Sequence, residues 1–99
     1  MDNQHRKIKG YRELSEADIA LINRVKETGG VLEALIADLR AHVHRSYDAL
    51  DEVRLPSDRN AELQRLTKAN PLGWIIAAEG EMQTALMKLT RSVAQPTFF

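Results

Sequence analysis

Large apolar residues recur along this chain in steps of three and four. Ile19, Ile22, Val25, Leu32, Leu35, Ile36, Leu39, Val43, Tyr47 and Leu50 make one stripe, interrupted at Gly29-Gly30. Such spacing lines up side chains on one face of a helix. Ile75, Ala78, Met82, Ala85, Leu86, Leu89 and Val93 make a second stripe, closed by Pro96. No strand-like alternation, internal repeat or low-complexity segment interrupts this pattern.

Local signals place the helix ends. Ser15 is a candidate cap, with Leu14 before it as a staple and acidic Asp18 three residues on, at the positive end of the helix dipole. Each glycine inside a helix costs about 1 kcal/mol relative to alanine. Gly29-Gly30 therefore marks a break between two helices, a kink, or a place where another group comes close. Leu55 to Asp58 holds a proline and a candidate cap at Ser57 or Asp58. A short polar helix should follow from about residue 59 to 69, anchored only by Leu63 and Leu66. Asn70 suits a cap and Pro71 the first turn of the last helix.

The expected fold class is all-α. Residues 1–99 form a single domain: an arm over 1–14, two long antiparallel amphipathic helices, and a short connecting helix within a variable segment, 45–70. A two-layer hairpin of this size cannot cover both apolar stripes, and Phe98-Phe99 add two aromatics. Self-association is the economical solution, since most soluble oligomers are symmetric homo-oligomers.

Composition narrows the classes. Lys plus Arg and Asp plus Glu number 14 each, so the formal charge is zero. A general nucleic-acid binder usually carries a basic excess, so DNA is not an expected partner. Without cysteine there is no disulfide framework, thiol nucleophile or thiolate metal site. Residues 1–9 are polar and basic, unlike a signal peptide, and no apolar run reaches membrane-spanning length. The expectation is a soluble, intracellular protein without a membrane partner.

No catalytic arrangement stands out. His42 and His44 lie two apart, pointing apart on a helix, and so do Glu79 and Glu81. His5 has no evident partner. Neither a metal site, a cofactor nor an enzyme is expected. The arm carries more chemistry. Arg6, Lys7, Lys9 and Arg12 surround Tyr11, which follows Gly10. Such rings stack on nucleobases while the cations meet phosphates. The plainer alternative is a solvated arm whose tyrosine plugs the core. Asn23, Lys26 and Gly30 step along one line at the edge of the first stripe, offering an amide, a cation and bare backbone. A lysine there also fits one that snorkels off the core.

The segments His5-Arg6-Lys7-Ile8 and Gly10-Tyr11-Arg12-Glu13-Leu14-Ser15 resemble the start of the phage anti-CBASS protein 2 family, the cyclic-nucleotide sponges. The resemblance continues through residues 19–26 and Gly29. It resumes at Pro71-Leu72-Gly73-Trp74, Met82-Gln83-Thr84, Met87 and Leu89, and closes with residues 91–97, Arg-Ser-Val-Ala-Gln-Pro-Thr. It is weakest over about 45–70.

The resemblance implies a helical protomer in a homohexamer, a trimer of dimers. Such proteins bind cyclic dinucleotides of the 3′,3′-cGAMP class without cutting them, in the cytoplasm of the infected bacterium, and so starve a defence pathway of its messenger. It implies base stacking by Tyr11 and phosphate contact by Lys26; Arg12 of the arm, Asn23 and Gly30 on the line with Lys26, and Thr28 are further candidate ligand-binding positions. The family's arginine before the tryptophan is Gly73 here. That arginine, with the threonine matching Thr28, is associated with a separate cyclic trinucleotide site. Its loss puts trinucleotide binding in doubt, with Lys68 the nearby cation that could take its place. A different class of function fits the same arm: a helical oligomeric interaction module that docks on a protein partner or nucleic acid.

Overall fold

A computed structural model describes residues 12–97. They form three helices, α1 (Glu16–Asp48), α2 (Pro56–Ala69) and α3 (Pro71–Ala94), with a 3-10 turn at Ala49–Glu52 after α1. No strand occurs among the described residues. The all-helical class with two long helices and a shorter one is thus the observed one. The chain divides into two compact units, whose described parts are residues 12–31 with 82–97, and residues 32–81.

In the first unit, α1 opens on a reciprocal cap. The Ser15 hydroxyl accepts from the Asp18 backbone N–H at 3.1 Å, and the Asp18 carboxylate accepts from the Ser15 N–H at 2.9 Å. Two donors that the first turn leaves orphaned are thereby satisfied. Arg12 ties this start to α3. Its guanidinium donates to Asp18 Oδ2 at 2.8 Å and to the Val93 carbonyl at 2.6 Å. The first part of α1 and the last part of α3 run antiparallel, since Arg12 meets Val93 while Gly29 faces Leu86.

Of the readings open for the glycine pair, the break between two helices does not occur. α1 runs unbroken for 33 residues through Gly29-Gly30. A Cβ built on Gly29 would stand 3.2 Å from Leu86 Cδ1, whereas one on Gly30 would meet nothing. Gly29 therefore marks a close approach of α3, and the glycine pair is tolerated within one helix. At the far end, Gln95 takes the left-handed conformation, with φ 53°, and donates from its N–H to the Arg91 carbonyl at 2.8 Å. Pro96 follows, so α3 stops where the sequence places its end.

The second unit holds the described core: Ile36, Val43, Leu50 and Leu66 are buried. Here the expected cap at Ser57 or Asp58 is not the one used. α2 starts at Pro56, three residues earlier than the expected start, after extended Leu55 and with no side-chain cap. Proline's preset φ suits the first helical position, where its missing N–H costs nothing. Arg59 secures the turn from within α2. Its guanidinium donates to the Leu50 carbonyl at 3.2 Å and the Val53 carbonyl at 2.7 Å. Asn70 also does more than cap α3. It ends α2 in the left-handed conformation, φ 49°, and donates to the Leu66 carbonyl at 2.9 Å. Its side chain folds over Gly73, where a Cβ would stand 2.7 Å from Asn70 Cγ.

Candidate functional site

The first unit contains an open cavity of about 670 Å³ between α1 and α3. That volume lies within the range of about 300–1,000 Å³ usual for small-molecule sites. α1 contributes Val25, Lys26 and Gly29. α3 contributes a face that includes Thr84, Met87, Lys88 and Arg91, and Pro96 follows beyond the helix end. The walls are largely apolar. Three cations, Lys26, Lys88 and Arg91, stand around them, and no carboxylate lines the cavity among the described residues. Apolar walls that also carry cations suit a ligand that is flat and apolar in one part and anionic in another.

Gly29 contributes by its missing side chain. The 3.2 Å from a built Cβ to Leu86 Cδ1 shows how closely the helices meet beside the cavity. Lys26 is exposed and lines the same cavity as this glycine, so its ammonium stays hydrated until a ligand displaces water. Among the described residues neither Lys26 nor Lys88 forms an ion pair.

Of the candidate ligand-binding residues read from the sequence, Lys26 lines this cavity. Tyr11 lies outside the described residues, as do His5 and Phe98-Phe99. Arg12 is described, and its guanidinium makes two internal contacts. Arg12 and its hydrogen bonds hold the Asp18 carboxyl at about 2, below the ordinary 3.8, with the Ser15 backbone N–H adding to the effect. Asn23 and Gly30 are exposed on α1 and do not line the cavity.

Thr28 lines a second, smaller hollow of about 300 Å³ with Arg24, Leu89 and Ser92. Its hydroxyl donates to the Arg24 carbonyl at 2.9 Å, one turn back along α1. Gly73 belongs to the other unit. His42 and His44 are both exposed, and no cluster that could hold a metal ion occurs among the described residues. No described helix is long and apolar enough to cross a membrane.

Sequence reasoning assigned no role to Lys88 and Arg91. A signal was available: Thr84, Lys88 and Arg91 step by four and three, one face of a helix. What the sequence could not supply was which face of α1 lies opposite.

No protein-family model matches the chain. One curated relative is similar over nearly its whole length. Anti-CBASS protein 2 of Pseudomonas phage JBD67 is 42% identical over 105 aligned positions, which cover 97% of each chain.

Proposed function

Because this chain belongs to the anti-CBASS protein 2 family, we propose that it is a non-catalytic sponge for cyclic dinucleotides. It acts against CBASS in the cytoplasm of the infected bacterium, holding messengers of the 3′,3′-cGAMP class at interfaces between its own subunits. The observation that carries this reading is Lys26 in the wall of a largely apolar cavity that Lys88 and Arg91 also line, with no carboxylate among the described lining residues.

The chemistry is economical. A cyclic dinucleotide carries two phosphates and two bases about an approximate two-fold axis. A two-fold interface presents each protein residue twice. One Lys26 and one Tyr11 per subunit then supply two cations and two stacking rings. Each stacked base contributes about 1–3 kcal/mol, and charge-assisted phosphate contacts add to that. Sequestration asks for affinity and copy number, so no positioned base or nucleophile is required. Arg12, the first described residue, is anchored to Asp18 and to the Val93 carbonyl of α3.

The test is calorimetry and thermal shift with 3′,3′-cGAMP against a linear dinucleotide. Ligand binding to the folded state alone raises the melting temperature, by the equivalent of about 2.7 kcal/mol at a hundredfold excess over Kd. Tyr11→Ala and Lys26→Ala should each abolish or severely weaken binding and leave the assembly intact. The messenger should be recovered unaltered after heat denaturation. Absence of any shift with cyclic dinucleotides would remove the reading in favour of an interaction module, and a cleaved product would replace it with an enzyme.

A further inference from the structure

We propose that Lys88 is a second phosphate-binding cation of this cavity, acting on the same ligand as Lys26 from the opposite helix. The inference rests on the sponge reading and adds to it a residue that the family motif does not single out.

Three observations carry it. Lys26 on α1 and Lys88 on α3 line the same cavity. The chain as a whole has equal numbers of acidic and basic residues, yet this wall holds cations and no carboxylate among the described residues. Neither ammonium has an ion-pair partner among the described residues, whereas Arg12, Arg40 and Arg65 do. Two ammonium groups lining one cavity repel one another, and an anion between them relieves that repulsion. A phosphate diester has two free oxygens, so one group can accept from an ammonium on each side. Met87, 72% exposed on the same wall, supplies an apolar surface beside the charge for the rest of the ligand.

The alternative use of Lys88, a solvated lysine on an outer face, predicts no effect on binding. The experiment measures 3′,3′-cGAMP affinity by calorimetry at low and high salt for the intact protein and its Lys26→Gln, Lys88→Gln, Lys88→Arg and Arg54→Gln variants. Arg54 is exposed in the other unit and controls for the loss of one positive charge. Lys88→Gln should weaken binding by about tenfold or more, the effect of one charge-assisted hydrogen bond. It should also flatten the salt dependence, because one screened contact is gone. Lys88→Arg should retain most of the affinity. If Lys88→Gln binds like wild type while Lys26→Gln does not, the assignment of Lys88 is overturned and the sponge reading stands. If the intact protein binds no cyclic dinucleotide, both are overturned together.

Discussion

Asp18 shows how one side chain serves the local turn and the tertiary structure at once. It caps α1 by accepting from the Ser15 N–H and receives Arg12, which also reaches Val93. Its folded pKa of about 2 lies below the ordinary 3.8. A depressed carboxyl contributes stability above its unfolded pKa, and that contribution is lost as pH falls through the folded value. Acid unfolding of wild type should therefore show a component lost between about pH 4 and 2. In Asp18→Asn that component is missing, and the two proteins should converge as pH drops across the window. A gap in stability that persists unchanged to pH 2 would show that the carboxylate charge contributes nothing. The Ser15–Asp18 cap was readable in the sequence because its partners are three residues apart. The Arg12–Val93 contact was not, because it spans 81 positions. Lys26 was legible from its place at the edge of a stripe. Lys88 was not, since a cation on a helix reads as solvated until the facing helix is known.

At the scale of elements, the glycine pair separates two kinds of position within one helix. Gly30 faces open space, while Gly29 stands against Leu86. Gly30→Ala should stabilise by up to about 1 kcal/mol through helix propensity, raising the melting temperature by about 4–8 °C for a domain this small. Gly29→Ala should gain less or lose stability, because its methyl presses on Leu86 Cδ1. Equal gains in paired thermal melts would mean that Leu86 has room to move and that the approach is not tight. The long helices were legible because period and caps agree over many turns. The start of α2 differs from the expected one because neither Ser57 nor Asp58 serves as its cap. A proline with preset φ opens the helix instead, and the carbonyls of the preceding turn are satisfied by Arg59. That 3-10 turn has no periodic signature of its own, so only the structure discloses it.

At the scale of the whole molecule, the apolar surface argues for assembly. Four large apolar side chains are buried among the described residues, while eleven stand exposed, including Val31 at 69%, Trp74 at 73% and Met87 at 72%. All four buried residues lie in the second unit, so the unit that carries the cavity has only half-buried rows such as Ile22, Val25 and Leu86. A chain of 99 residues buries too little of itself to tolerate such exposure cheaply, and apolar side chains exposed in this number are available for contact with another molecule. The homohexamer that the family resemblance implies, a trimer of dimers, would cover such surface with further copies of the same chain. Light scattering at micromolar concentration should then return six times the chain mass. The melting temperature should climb with protein concentration, because association stabilises the folded state by mass action. Cyclic dinucleotide should raise it further and slow dissociation on dilution, since each ligand would bridge two subunits. A monomer of constant melting temperature across a hundredfold range of concentration would leave these faces without their partner and the cavity without its second half.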